Sequence, residues 1–245
     1  TPFLKWAGGK RWFTSRYLDS LPKTYNRYIE PFVGSGALFF ALEPKEAVIG
    51  DINKPLIETY MAIKDNWELV LEHLQTHSVS HSKEYYYSVR ATLPETIHQR
   101  AARFIYLNRT CWNGLYRVNK AGDFNVPIGT KTNIILDTDD FKKLAELLEN
   151  TMIMHSDFEA IIDSAQEGDL VFADPPYTVK HNNNGFVKYN EDMFKWEDQV
   201  RLRDAIVRAT ERNVKIIVTN ANHSSIIELY SNFKRKVIAK NFHKH

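Results

Sequence analysis

The tetrapeptide DPPY, residues 174–177, follows the apolar run "DLVFA". Pro175 has no backbone N–H, and Pro176 restricts Pro175 to an extended conformation. The two prolines therefore fix the direction of the Asp174 carboxylate relative to the Pro175 carbonyl. Two fixed acceptors suit a primary amine with two N–H donors, and Tyr177 offers a face for a planar ring. The same tetrapeptide is also compatible with a capped turn at the end of a strand.

Two further features have the residue types of a nucleotide site. Gly34-Ser35-Gly36 follows the strand-like run "YIEPF", and glycines there let a backbone approach a ligand at a helix N-terminus. Phe39 stands where the dinucleotide fingerprint needs a third glycine, so the motif is not that of an NAD site. Asp51 ends the next strand-like run and suits ribose hydroxyls. The alternatives are a tight turn at the glycines and a helix N-cap at Asp51.

The elements around these residues alternate between strand and helix patterns. A helical pattern such as "WEDQVRLRDAIVRATERN" has one apolar face. Alternation of this kind predicts an α/β fold with a mostly parallel, doubly wound sheet. The predicted strands are 27–32, 47–52, 151–156, 169–174, 214–220 and 234–239.

Residues 54–150 interrupt this alternation with several helical segments and the run "TCWNGLYRVNKAGDFNVPIG". The Asn-Gly, Ala-Gly and Pro signals of that run indicate a hairpin or an extended loop. We therefore predict a catalytic domain of residues 1–53 and 151–245, and an inserted, mainly helical domain of residues 54–150 that carries the hairpin.

Composition excludes several classes of protein. The 245 residues are 43% hydrophobic and 25% charged, with no apolar run long enough to span a membrane and no signal-like start. A net charge of +2 leaves the partner open. One cysteine, Cys111, excludes an internal disulfide and fits a cytoplasmic protein. His243 and His245 are too sparse to predict a metal site.

Six segments in this order resemble the Dam-type DNA adenine-N6 methyltransferases of the α group. They are "FLKWAGGK" (3–10), "EPFVGSGALF" (30–39), "GDIN" (50–53), "LNRTCWNGLYRVN" (107–119), "FNVPIG" (124–129) and "DPPY" (174–177). The resemblance spans nearly the whole chain. It implies a Rossmann-like methyltransferase fold, S-adenosylmethionine as cofactor, and double-stranded DNA, commonly at GATC, as substrate.

The resemblance also implies a role for individual residues. Asp174, Pro175, Pro176 and Tyr177 hold the target adenine, whose amine attacks directly, so Cys111 is not a nucleophile. The implied cofactor site consists of Trp6, Lys10, Glu30, Pro31, Phe32, Gly34, Ser35, Gly36, Asp51, Asp157, Phe158 and Asp174.

Methylation of a paired adenine requires that the base is flipped out of the duplex. In the hairpin we predict Trp112 as the intercalating side chain, with Leu115 and Tyr116 as further wedges, and Arg117 as a guanine reader. Asn113, Lys120 and Lys5 are further predicted DNA contacts. Arg100, Arg103, Arg109 and Lys131 are candidate phosphate contacts.

Two other functions share some of these motifs. Enzymes that methylate a planar amine in RNA or protein also carry DPPY but are expected to lack the "NGLYRVN…FNVPIG" insert. A DNA-binding protein with an inactive methyltransferase fold is the other alternative, and the intact motifs disfavour it. A cognate restriction endonuclease is a possible partner in a bacterial or phage-infected cell.

Residues 178–188, rich in asparagine, predict a flexible loop that orders over the active site when ligands bind, with Phe186 closing on the flipped base. The family that the chain resembles usually continues to a further β-hairpin strand, whereas this sequence stops at His245. We therefore expect either a truncated chain or a mobile or disordered end, and a sheet without that strand has an exposed edge.

Overall fold

The computed structural model describes residues 2–119, 121–180 and 194–238. Several predicted features lie outside the described residues: Lys120, Phe186 with most of the predicted 178–188 loop, and the terminal histidines. Within the described part of the chain, no helix is both long and apolar enough to cross a membrane.

Five parallel strands form one sheet in the described residues. They are β1 (Tyr28–Glu30), β2 (Ala47–Asp51), β3 (Thr151–His155), β4 (Leu170–Ala173) and β5 (Lys215–Val218). The order across the sheet is β3-β2-β1-β4-β5. Tyr28 pairs with Ala47 on one side and with Leu170 on the other. The chain thus reverses its direction of winding at β1, and the crevice between β1 and β4 is where such sheets bind ligands.

The predicted strand at 234–239 is wrong for its described part, because residues 234–238 have no strand structure. A strand of a packed sheet buries at least one of its faces, and both faces where helices cover the two sides. Residues 234–237 are instead all exposed and pair with no neighbouring strand.

The helices lie on both faces of the sheet. They are α1 (Arg11–Tyr17), α2 (Phe39–Leu42), α3 (Lys54–Val79), α4 (Lys83–Ala91), α5 (Ile97–Thr110), α6 (Phe141–Leu148), α7 (Phe158–Asp163), α8 (Trp196–Glu211) and α9 (Ser224–Leu229). Tyr28 and Phe172 belong to a core that includes α3, α5 and α6. Ile29 and Val171 belong to a second core with α7 and α8. Neighbouring strand residues thus face opposite layers, which confirms the predicted doubly wound α/β fold.

Helices α3 to α6 belong to the segment that the sequence predicts as an insert. Tyr60 and Ile63 of α3 share a core with the sheet residue Ile49, so this segment packs directly on the sheet. Between α5 and α6 the chain forms two isolated antiparallel bridges, Cys111 with Ile128 and Val118 with Phe124. The division into two domains stays a prediction.

Candidate active site

A cleft of about 1170 Å³ opens at the carboxyl ends of the central strands. The loop after β1, the end of β2 and the DPPY segment after β4 all line it. Of the residues predicted to bind a cofactor, Gly36 is the one that does not line this cleft. Parallel strands bring these distant segments together because their carboxyl ends lie at one edge of the sheet.

The glycine turn after β1 depends on two left-handed residues, Gly34 with φ +48° and Gly36 with φ +64°. A Cβ on Gly34 would lie 2.6 Å from the Trp6 ring, and one on Gly36 would lie 2.9 Å from the Tyr60 hydroxyl. The Tyr60 hydroxyl donates to the Gly34 carbonyl at 2.9 Å. The turn therefore packs too closely for any other residue type at these positions.

Asp51 connects this turn to α3. Its carboxylate accepts from the Gly34 N–H at 3.2 Å and from the Asn53 N–H at 2.9 Å. Burial raises the pKa of Asp51 to about 6, although both backbone bonds oppose the shift. The N-cap of α3 is Asn53, which accepts from the Leu56 N–H at 3.1 Å. Asp51 itself faces the cleft, as a ligand-binding acid at this position does.

Asp174 lies at the end of β4 with a donor on each oxygen. Lys10 Nζ lies 2.5 Å from Oδ2. The Thr219 hydroxyl donates to Oδ1 at 2.5 Å. Burial raises the pKa of Asp174, while Lys10 and Thr219 act in the opposite direction. Lys10 is itself only 7% exposed, so the two charges form a buried pair.

The rest of the DPPY segment is held by α8. The buried Gln199 donates to the Pro176 carbonyl at 3.3 Å and accepts from Asn220 at 3.0 Å. Tyr177 is partly exposed, with Lys10 Nζ 5.1 Å from its ring centre. The Tyr177 ring therefore presents surface to the cleft while the backbone behind it is fixed.

Glu30 is the third acid of the cleft and is 4% exposed. The Tyr28 hydroxyl donates to its carboxylate at 2.8 Å. Burial raises the pKa of Glu30 to about 8, and the nearby charge of Asp174 adds to the increase. The two acids next to it, Asp51 and Asp174, carry raised pKa values for the same main reason.

Asp157 and Phe158 line the cleft beyond β3. Asp157 caps α7 by accepting from the Glu159 N–H at 2.9 Å. The Phe158 ring stacks on Phe32, with ring centres 5.3 Å apart. Pro31 and Ser35 also lie on the cleft wall.

An aromatic stack joins the cleft to the segment predicted to contact DNA. Trp6 stacks on Tyr116 with ring centres 5.7 Å apart, and both line the cleft. Asn108 of α5 accepts from the Lys5 N–H at 2.9 Å and donates to the Lys5 carbonyl at 2.8 Å. A Cβ on Gly114 would lie 2.5 Å from Lys5 Cδ. Lys5 therefore lies directly against the 112–114 turn.

The predicted DNA contacts lie on the surface beside this stack. Trp112 is 53% exposed and Leu115 is 42% exposed. Asn113, with φ +55°, and Arg117 are exposed, and Arg117 Nε donates to Asn125 at 2.8 Å. These side chains do not line the cleft.

Three of the four predicted phosphate contacts are better explained as structural residues. Arg109 is 3% exposed, pairs with Asp139 and donates to the Phe3 carbonyl. Its burial excludes a phosphate contact, because α5 is enclosed on all sides near its end.

Arg103 donates to the carbonyls of Val89 and Arg90, at the end of α4. Arg100 pairs with Glu58. Lys131 is exposed, as a phosphate contact requires.

Sequence reasoning missed Thr219, Gln199 and Asn220. Thr219 and Asn220 follow β5 directly, and polar residues at the carboxyl end of a parallel strand are candidates for the site. Gln199 offered no such signal, because it lies on the buried face of α8 among apolar residues. The Cys111 thiol is buried, which raises its pKa to about 11 and keeps it protonated at neutral pH.

The parallel sheet and the acid-lined cleft at its carboxyl edge are typical of an α/β enzyme that binds its ligands at the switch point of the sheet. The family model for D12 class N6 adenine-specific DNA methyltransferases matches residues 6–243. The chain belongs to this family, and its reaction is the N6 methylation of adenine in DNA.

Named relatives agree with this assignment. The type II methyltransferase M1.LlaDCHI of Lactococcus lactis is 41% identical over 243 residues, which cover 95% of this chain and 85% of the relative. The type II methyltransferase M.MjaIII of Methanocaldococcus jannaschii is 36% identical, covering 98% of this chain and 91% of the relative. A DNA adenine methylase of Haemophilus influenzae is 30% identical, covering 96% and 84%.

Proposed function

We propose that this DNA adenine methyltransferase uses S-adenosylmethionine to methylate an adenine flipped out of double-stranded DNA. One observation carries the proposal. The Asp174 carboxylate, held between Lys10 and Thr219, opens on the same cleft as the Gly34 turn and Asp51. The acceptor for the adenine amine therefore lies next to the site that suits a nucleotide-type cofactor.

The residues of the cleft fit this cofactor. Its volume of about 1170 Å³ exceeds that of a typical single-ligand pocket, so it has room for a cofactor and a base. Asp51 offers carboxylate oxygens to ribose hydroxyls, and the ionised Asp174 carboxylate suits a cationic sulfonium. When bound, the cofactor supplies an electrophilic methyl group. The proposed cofactor contacts are the twelve residues named from the sequence, with Gly36 acting through the turn.

Asp174 has the capacity that the proposed mechanism requires. Each carboxylate oxygen has two lone-pair sites, so Asp174 can accept an amine hydrogen while it keeps Lys10 and Thr219. Lys10 favours the ionised carboxylate against the effect of burial. The Pro175 carbonyl accepts the second amine hydrogen, and Tyr177 stacks on the base. Accepting both hydrogens draws the nitrogen towards tetrahedral geometry and frees its lone pair, so positioning supplies most of the catalysis.

The exposed hairpin side chains support the proposed DNA contacts. Trp112 inserts into the duplex, Leu115 lies beside it, and Arg117 reads a guanine. Lys5 and Asn113 contact the DNA next to these two side chains. The proposed site is GATC, which rests on the resemblance of the 107–119 segment to Dam-type enzymes.

The test is methyl transfer from labelled S-adenosylmethionine to matched oligonucleotides. We expect incorporation into a duplex with GATC, and little into a duplex with GTAC, into the single strand, or into RNA of the same sequence. Transfer to GTAC at the same rate contradicts the proposed site. Transfer to RNA in preference to the duplex contradicts the proposed substrate.

Two of the relatives are named type II methyltransferases, so we also propose a cognate endonuclease as partner. The test is cleavage of unmethylated DNA, at the sequence that this enzyme methylates, by the product of a neighbouring gene. The relatives come from cells whose DNA lies in the cytoplasm, which is the proposed location of this enzyme.

A further inference from the structure

Arg201 on α8 makes three ion pairs behind the cleft. Its Nη2 lies 2.8 Å from Asp157 Oδ1 and 2.8 Å from Glu159 Oε2. Its Nη1 lies 3.0 Å from Asp198 Oδ1. The guanidinium also lies 5.0 Å from the centre of the Phe158 ring. One side chain therefore contacts three successive residues at the start of α7 as well as its own helix.

The partners of Arg201 include residues of the cleft wall, whereas Arg201 itself does not line the cleft. Asp157, Phe158 and Asp198 all line it. The Asp157 oxygen that pairs with Arg201 also caps α7. The Phe158 ring, packed between neighbours, has its plane fixed by Arg201 together with Phe32. Arg201 thus determines how this part of the wall is oriented without touching what the cleft holds.

Arginine is the residue type that can do this. Its planar fork donates to two carboxylates at fixed angles and also packs on an aromatic face, which lysine does not reproduce. Half-exposed ion pairs of this kind contribute little to stability. The network is therefore better suited to orienting Asp157 and Phe158 than to stabilising the fold.

Arg208, two turns further along α8, provides a natural comparison. It pairs with Glu159 at 2.8 Å and with Asp163 at 2.8 Å. Neither partner lines the cleft. Arg208 and Arg201 have similar exposure, about 40%, and both join α8 to α7. They differ in that only Arg201 contacts the cleft residues Asp157 and Phe158.

Asp157 and Phe158 follow β3, so they lie on the far side of the proposed ribose contact Asp51 from Asp174. We infer that this end of the cleft takes the nucleobase of the cofactor, and that Arg201 is a positioning residue for it, acting through Asp157 and Phe158. The Asp157 carboxylate, held in its orientation by Arg201, accepts a hydrogen from an exocyclic amine. The site therefore selects a purine with an amino group over one with an oxo group. The inference rests on the proposed use of S-adenosylmethionine and deepens it. It adds to the cleft a residue that determines cofactor selectivity from outside.

The experiment compares Arg201→Gln with Arg208→Gln in the full chain by calorimetry. The probes are S-adenosylhomocysteine and its inosine analogue, in which an oxo group replaces the amine. We expect Arg201→Gln to bind the adenosine probe about tenfold more weakly, equal to about 1.4 kcal/mol. Its preference for the adenosine over the inosine probe falls with it. Arg208→Gln stays within about twofold of the parent protein, and Arg201→Lys lies between them.

Turnover separates positioning from catalysis. With saturating S-adenosylmethionine, Arg201→Gln retains the kcat of the parent enzyme within about twofold while its KM for the cofactor rises. Equal losses of affinity in Arg201→Gln and Arg208→Gln overturn the inference, as does an unchanged preference between the two probes. If Arg201→Gln does not fold, Arg201→Lys against Arg208→Lys gives the same comparison. Failure of the parent protein to bind either probe contradicts the proposed cofactor instead.

Discussion

The strand-end segments and the 111–119 segment differ in how their side chains are held. At the strand ends, Asp51 and Asp174 are fixed by donors from other elements. In the other segment, Trp112 and Leu115 extend into solvent. The side chains at the strand ends are held in place before any ligand binds, as a catalytic site requires. The 111–119 segment instead exposes apolar side chains, which is typical of a surface that binds another macromolecule. Substitutions in the two regions should therefore have different effects.

The largest expected effect is on catalysis, in Asp174→Ala. Loss of both acceptor oxygens should lower kcat by at least about 10²–10³-fold, the magnitude typical of removing one group that stabilises developing charge. Binding of S-adenosylmethionine should remain measurable by calorimetry. Asp163→Ala, at an acid on α7 outside the cleft, is the matched control and should keep the parent rate. Near-normal turnover of Asp174→Ala would falsify the proposed mechanism.

The next effect is on stability, in Arg109→Gln. This substitution leaves Asp139 without its arginine in a buried position, which typically costs about 3–5 kcal/mol. Urea denaturation measures the loss, and Arg203→Gln, at a half-exposed pair with Asp204, should change stability by less than about 1 kcal/mol. A stable Arg109→Gln protein with weaker, less salt-dependent DNA binding would restore the phosphate role.

Glu30→Gln tests the acids of the cleft through pH. The folded protein retains a proton on Glu30 up to about pH 8, whereas the unfolded chain releases it near the ordinary pKa of 4.5. The unfolded state thus binds fewer protons in this window, so the stability of the parent protein falls as pH rises, with a limiting slope of about 1.4 kcal/mol per unit. In Glu30→Gln the side chain does not titrate, so this loss of stability with rising pH is absent. Denaturation at pH 5 and pH 8 should show the variant gaining on the parent protein, and a constant difference contradicts the buried, protonated acid.

Trp112→Ala should impair base flipping without changing stability. A 53% exposed side chain contributes little to the core, so the free energy of unfolding should change by less than about 0.5 kcal/mol. Fluorescence of 2-aminopurine at the target position reports flipping, and we expect a loss of about tenfold in the flipped population. Leu93→Ala, at another exposed apolar residue, is the control. Equal signals from both variants remove Trp112 from the proposed DNA contact.

The strands and turns that carry sequence motifs could be predicted from the sequence. The contacts between helices and their neighbours could be predicted less well. The glycine turn, Asp51 and DPPY follow strands directly, and parallel strands place their ends together, so their convergence on the cleft was predictable. The burial of Gln199 and of Arg109 depends on which faces of their helices are covered by neighbouring elements. The periodicity of the sequence alone does not reveal this. Arg109 belongs to the wholly buried stretch Phe104–Thr110, where a charged residue needs an internal partner. The predicted strand at 234–239 contains Val237 and Ile238, but residues 234–237 have no buried face, so this prediction was wrong.

The smallest effect is expected for Lys131→Gln, at the surface next to Lys5. Burial lowers the pKa of Lys5, and the neighbouring charge of Lys131 lowers it further, so the two cations lie close enough to repel each other. An anionic DNA backbone relieves that repulsion. Loss of one phosphate contact should weaken binding to all duplexes alike and reduce the slope of log K against log salt by about one. Lys45→Gln, at the amino end of β2 and far from the cleft, should leave that slope unchanged. Because Lys131 is exposed while Arg109 is buried, opposite outcomes for these two cations, one in DNA binding and one in stability, would show that exposure separates a DNA-contacting cation from a structural one.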